Sequence, residues 1–198
     1  MFRSNNIVID GGEVVFELKL NSFRVRRLFC SMKLNFRDAH LNDLPGIVSI
    51  YNATIPGRMV TADLEPVSVK SRMDWFYEHT PERRPLWVIE DDQSEMLGWV
   101  SFQDFYGRIA YIATAEISIY IDAAHQRKGI GKQALQYAMD QCAGLQIKTL
   151  LGFIFAHNEP SLQLFYQLGF EDWAMLPNIA NLDGIERSLK IVGKRVSD

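Results

Sequence analysis

Residues 115–139 read AEISIYIDAAHQRKGIGKQALQYAM. The opening alternates, so that Ile117, Ile119 and Ile121 fall on one face of a strand and Glu116, Ser118 and Tyr120 on the other. One face is core; the other carries a carboxylate. Beyond it, Ile130, Ala134, Leu135, Ala138, Met139 and Cys142 recur at helical spacing, which makes HQRKGIG, residues 125–131, the loop that turns the strand into a helix. Gly129 and Gly131 leave the backbone bare at that helix N-terminus. Orphan N–H groups and the positive end of the helix dipole favour an anion there, and Arg127, Lys128 and Lys132 add charge. The spacing is neither G-x-x-x-x-G-K-[ST] nor G-x-G-x-x-G, so the nucleoside triphosphatase and Rossmann fingerprints are missing. A pyrophosphate suits the junction, although a strand, a glycine turn and a helix also make a common connection.

Outward from this junction the chain keeps a regular rhythm. KLNFRDA (33–39) reads as a strand, and Leu44, Ile47, Val48 and Tyr51 then recur at helical spacing, with Asp43 before Pro45 as the helix start. EPVSVKSRMDWFYEH (65–79) predicts a second helix through Val69, Met73 and Phe76. PLWVIED and EMLGWVSFQDF read as hairpin strands about residues 91–94. A buried strand at Leu150–Ala156 and a helix from about Pro160 complete a β-α-β-α run, which favours a parallel pair within a mixed sheet. Residues 1–31 form an N-terminal extension with two strand-like runs about Gly11-Gly12 and then the basic FRVRRLF, either a hairpin or an upstream translation artefact. Residues 32–198 form a single domain.

Composition excludes several classes of function. With 47% hydrophobic residues in 198, the chain can bury a sizeable core without staples. A net charge of -3 argues against a general nucleic-acid or membrane-surface binder. Cys30 and Cys142 fit neither a disulfide framework nor a metal-ligand spacing and suit a reducing cytosol, while none of the four histidines has metal-site company. No metal is expected. No apolar run is long enough to span a bilayer, so a cytoplasmic protein is the expectation.

Gln126, Gly129 and Gly131 match Q/R-x-x-G-x-G/A, and on this strand-loop-helix the motif resembles the pyrophosphate loop of the GNAT superfamily of acetyl-CoA-dependent N-acyltransferases. NEPSLQLFYQLGF (158–170) resembles that superfamily's cofactor-side helix. Local physics agrees, since Asn158 can cap the helix, Leu162, Phe165 and Leu168 face inward, and Gly169 can end it. RIAYIATAEISIYI, with IYNATI and TADLEPVSVKSRMDWF upstream, is similar to the phosphinothricin and L-amino acid N-acetyltransferase branch. The resemblance covers roughly Lys33 to Phe170. It departs at Ala115, where Val is usual, and in the C-terminal segment.

The resemblance implies a GNAT-like α/β fold: a central, mostly antiparallel mixed sheet with one splayed parallel pair, flanked by helices. It implies transfer of acetyl from acetyl-CoA to the primary amine of a small amino acid or analogue, with Glu116 as general base. Backbone groups of Ile119, Tyr120 and Ile121 would bind the pantetheine amides as an added strand does. The loop Gln126, Arg127, Lys128, Gly129, Ile130, Gly131 and Lys132 would hold the pyrophosphate. Asn158 would meet the pantetheine arm or serve only as a helix cap. Tyr166 stands where many members carry the tyrosine that protonates the leaving thiolate, or is a packed helix tyrosine. Tyr106, Gly107 and Arg108, with Glu116, match the acceptor-contacting segment, with Arg108 either pairing with a carboxylate or solvated. A homodimer is the expected assembly. Two alternatives stay open: a different acceptor amine (polyamine, antibiotic or protein N-terminus), and a non-catalytic acyl-CoA-binding module.

Overall fold

The computed structural model describes residues 6–10, 13–20, 23–26 and 33–197, and the chain divides after Lys33 into two units. In the first, β1 (Asn6–Asp10), β2 (Glu13–Leu20) and β3 (Phe23–Arg26) form an antiparallel sheet in chain order. Ile7 lies opposite Phe16, and Leu18 opposite Val25. The basic segment thus supplies a third strand, where interleaved arginines hide the alternation of Phe23 and Val25. Gly11, Gly12, Cys30 and Met32 lie outside the described residues.

The second unit runs β4 (Asn35–Asp38), α1 (Leu44–Asn52), α2 (Met73–Tyr77), β5 (Leu86–Glu90), β6 (Met96–Asp104), β7 (Thr114–Ile121), α3 (Ile130–Gln141), β8 (Thr149–Phe155), α4 (Glu159–Gln167), β9 (Glu171–Leu182) and β10 (Ile185–Arg195). Its seven strands lie in the order β4-β5-β6-β7-β8-β10-β9. Only β7 and β8 run parallel. This is the GNAT-like mixed sheet that the resemblance implies.

Alternation divides the helices between the two faces. Leu86, Val88 and Trp99 pack with Ile47 and Ile50 of α1, and the Trp99 indole N–H donates to the Ile47 carbonyl at 3.1 Å. Trp87 points the other way and meets Tyr137 of α3 edge-on at 5.1 Å. Each aliphatic side chain buried in these layers stabilises the fold by ~1.5–3 kcal/mol. α4 covers β8 so closely that a Cβ added at Gly152 would lie 2.7 Å from the Phe165 ring.

The second helix is much shorter than its spacing predicts. Only Met73–Tyr77 is α-helical, after one 3-10 turn at Lys70–Arg72. Upstream, the Asn52 side chain donates to the Val67 carbonyl and accepts from the Val67 N–H, both at 2.9 Å. That two-bond clamp mimics a strand partner and holds Val67 out of a helix. Asp43 does precede α1, but its carboxylate accepts from the His40 N–H and from Arg37 instead of capping α1.

Candidate active site

The parallel pair carries the site. Thr114, Ala115 and Glu116 lie opposite Thr149, Leu150 and Leu151, and there the pairing stops. On its other side β7 stays paired with β6 as far as Ile121, so the edge facing β8 is free beyond Glu116. Backbone direction alternates along an antiparallel strand. The Asp122 N–H bonds to Leu97 of β6, while Ala113 accepts from the β8 side; even-numbered residues therefore turn their backbone groups to β6 and odd-numbered ones to the gap. Ile119 offers N–H and C=O to the cleft and Ile121 its N–H, the Ile121 carbonyl being met by the Gln126 side chain. Tyr120 instead turns its backbone groups to its partner Trp99 in β6.

The loop Gln126–Lys132 stands at the mouth of this cleft. Gln126 donates a side-chain hydrogen bond to the Ile121 carbonyl at 3.3 Å. Arg127 (φ +60) and Gly129 (φ +81) take left-handed conformations, and no side chain caps α3. Its first-turn N–H groups therefore face outward unpaired. Arg127, Lys128 and Lys132 are exposed and pair with no carboxylate among the described residues. The two glycines differ in role. Nothing lies within 4 Å of a Cβ built on Gly129, whereas one on Gly131 would meet Leu164 of α4 at 3.3 Å. Gly131 serves helix packing, and the bare backbone belongs to Gly129.

On the face toward α1, three successive cross-strand pairs form a floor: Trp99 with Tyr120, Ser101 with Ser118, and Gln103 with Glu116. The small serines leave a hollow between a stacked aromatic pair, with centroids 4.3 Å apart, and the Gln103–Glu116 pair. Ile47, Val48 and Tyr51 of α1, together with Val67, Arg72 and Trp75, roof it, enclosing about 190 Å³. Burial raises the Glu116 carboxyl above its ordinary value and pushes the Tyr120 phenol well up. Glu116 becomes a stronger base than a solvated carboxylate, and Tyr120 stays protonated.

Sequence patterning gives Tyr51 only a place on the first helix and leaves Arg72 and Asp63 without a role, yet Tyr51 and Arg72 line the pocket and Asp63 joins them. Arg72 donates to Asp63 at 3.0 Å, and the Tyr51 hydroxyl donates to the same carboxylate oxygen at 2.5 Å. The readable signal was Ser101, a hydroxyl at only 2% exposure in a strand of otherwise apolar burial.

Other expected residues lie elsewhere. Tyr106, Gly107 and Arg108 are exposed on the loop after β6, beside Phe105 and Tyr111, and do not line the Glu116 pocket. The Tyr166 hydroxyl donates to Asp172 at 2.5 Å and accepts from Lys190 at 3.1 Å. It is a tie between α4 and the β9–β10 hairpin and is not brought to Glu116. Phe165, one residue earlier and about 100° around the helix, takes the inward place without a hydroxyl. Asn158 accepts from the Ser161 N–H at 3.2 Å and donates to the Met59 carbonyl at 2.9 Å, which spends its oxygen and one amide N–H on structure.

A free strand edge, an uncapped helix start and a basic loop in one line fit a donor that has amides at one end and a pyrophosphate at the other. The profile of the Acetyltransferase (GNAT) family matches residues 47–170. The chain belongs to that family. It is an acetyl-CoA-dependent N-acetyltransferase whose relatives are of the phosphinothricin acetyltransferase type. It is 50% identical over 164 residues to YwnH of Bacillus subtilis, a phosphinothricin acetyltransferase by name, covering 83% of this chain and all of that one. It is 29% identical over 153 residues, 77% of this chain and 89% of the other, to the L-methionine sulfoximine/L-methionine sulfone acetyltransferase of Pseudomonas aeruginosa. Among solved structures, the GNAT superfamily phosphinothricin acetyltransferase of Sinorhizobium meliloti, in complex with acetyl-CoA, superposes with a TM-score of 0.78 at 26% identity, over 83% of this chain and 89% of that one.

Proposed function

We propose that the protein acetylates the primary amine of a small amino acid or amino-acid analogue of the phosphinothricin or methionine sulfone kind, with Glu116 as general base. The observation that carries this is the place of Glu116: its side chain enters the acceptor pocket from the last residue of β7 that touches β8. An amine in the pocket meets the carboxylate at the point where a thioester, entering along the free edge of β7, ends. Glu116 takes the ammonium proton and leaves the lone pair to attack the carbonyl; the tetrahedral adduct then collapses, the C–S bond breaks, and the departing CoA thiolate takes up the proton that the acetylated nitrogen sheds. Ile119 and Ile121 orient the donor, the loop Gln126–Lys132 holds its phosphates, and the aromatic walls exclude water. A volume of about 190 Å³ suits a small acceptor.

The test measures thiol release from acetyl-CoA with amino acids, methionine sulfone, phosphinothricin, polyamines and peptides, for wild type and Glu116→Gln. A small amino-acid analogue should give the highest kcat/KM, and the variant should lose ~10²–10⁴ in kcat while calorimetry finds acetyl-CoA bound as before. Wild-type turnover by Glu116→Gln would place the base elsewhere. The loop after β6 exposes Tyr106 by 75% and Ile109 by 87%, with Tyr111 and Ile112 beside them. Such an apolar surface supports a homodimer across this loop, which sedimentation of wild type and Ile109→Asp would check.

A further inference from the structure

The acceptor pocket has two polar ends, and only one of them is used by the chemistry. Glu116 stands at one end of the floor and the stacked Trp99–Tyr120 pair at the other, four residues or ~13 Å along β7 by strand rise. Arg72 belongs to the aromatic end. Its guanidinium lies 4.9 Å from the centroid of the Tyr51 ring and 5.9 Å from that of Trp75. Those rings in turn meet Tyr120 at 5.2 Å and Trp99 at 5.7 Å. Among the described residues Arg72 is the one cation lining the pocket.

One of its N–H groups is committed to Asp63, which also takes the Tyr51 hydroxyl, and Thr61 closes the chain at 2.5 Å from that hydroxyl. A guanidinium carries five N–H donors in a rigid fork, so several remain for a ligand. Its charge is already balanced by Asp63. Beside Asp63 the guanidinium offers a full anion less net Coulomb attraction than a lone arginine would, while its free N–H groups still donate to a polarised, uncharged oxygen.

We infer that Arg72 is the specificity residue for the far end of the acceptor, donating to an oxygen on the terminal group of the amino-acid side chain, and that Asp63 sets its preference for sulfone-type oxygens over anionic phosphinate. The inference rests on the proposed function, which places the acceptor amine at Glu116. It separates Arg72 from the α-carboxylate, which is too near the amine to reach the aromatic end.

The experiment compares methionine sulfone, methionine and phosphinothricin as acceptors, by thiol release, for wild type, Arg72→Met and Asp63→Asn. Methionine shares the α-amine and α-carboxylate with its sulfone and lacks only the terminal oxygens. In Arg72→Met the ratio of kcat/KM for the sulfone to that for methionine should fall at least tenfold, through KM. In Asp63→Asn phosphinothricin should gain several-fold on the sulfone. Equal losses for methionine and its sulfone in Arg72→Met would assign Arg72 to the α-carboxylate or to the scaffold and overturn the inference. An unchanged ratio of phosphinothricin to sulfone in Asp63→Asn overturns the role of Asp63, and decides alone if Arg72→Met does not fold. Wild type that acetylates none of the three removes the functional proposal itself, and this inference with it.

Discussion

Glu116 and Leu151 are the last partners of the parallel pair, and beyond them β7 and β8 have no common register. The proposed base thus sits at the apex of the cleft, where its side chain lines the pocket beneath α1. Position at the apex also explains its burial and its raised carboxyl, since the walls that exclude water from a thioester exclude it from Glu116.

That burial has a cost which pH can expose. A carboxyl raised in the folded state favours its neutral form, so native Glu116 carries no penalty below its unfolded value of about 4.3. The penalty grows as pH rises from there through the raised folded value, and is constant above it. Glu116→Gln should therefore melt higher than wild type at pH 7, with the difference gone below about pH 4. In kinetics the sign reverses: wild-type kcat/KM should fall as pH drops through the raised value, and the variant should lose that limb. Melting curves and pH profiles of the two proteins test both statements.

Substitution of the two loop glycines should separate binding from stability. Gly129→Asp puts an anion into open space where the helix start faces outward, and acetyl-CoA affinity should fall at least tenfold by calorimetry. The left-handed φ of Gly129 adds a strain of ~1–2 kcal/mol. Gly131→Asp instead drives a charge against Leu164, and its main effect should be a lower melting temperature. Equal effects in both variants would undo the division of roles.

Tyr166→Phe should leave kcat near the wild-type value. The hydroxyl is tied to Asp172 and Lys190 on the outer surface, and an exposed network of this kind contributes little to stability. A hundredfold loss of kcat would return the tyrosine to the reaction.

A chain beginning at Met32 should turn over acetyl-CoA at the wild-type rate, because every group placed in the site belongs to the second unit. Loss of turnover in a truncated protein that keeps its melting transition would assign the N-terminal sheet to the site.

Much of this architecture was legible wherever one periodicity governed a segment. β7 and α3 follow from the alternation at Ile117–Ile121 and the helical spacing from Ile130, and both structures agree with their patterns. The acceptor pocket was harder to read, because its walls come from α1, the stretch around Val67–Trp75 and β6, whose meeting is set by cross-strand register. Arg72 lies within the stretch whose spacing predicts one long helix, and nothing local reveals the clamp of Asn52 on Val67 that shortens it. The two readings of Tyr166 could not be separated from sequence, because spacing from Asn158 does not say which face a residue takes and one step along a helix changes it. The β9–β10 hairpin was announced by Asp183-Gly184 at its turn, both at positive φ, and was legible without being used.

The tip of that hairpin reaches back across the fold. Asp183 pairs with Arg58 at 2.7 Å across 125 positions of sequence, while His157 and Asn158 hold the carbonyls of Arg58 and Met59. The segment so pinned leads directly into Thr61 and Asp63 at the pocket rim. Tyr51, Arg72, His157 and Asn158 already hold that segment from earlier in the chain, so the final hairpin adds one exposed ion pair that fastens the C-terminal end of the sheet to the approach of the pocket.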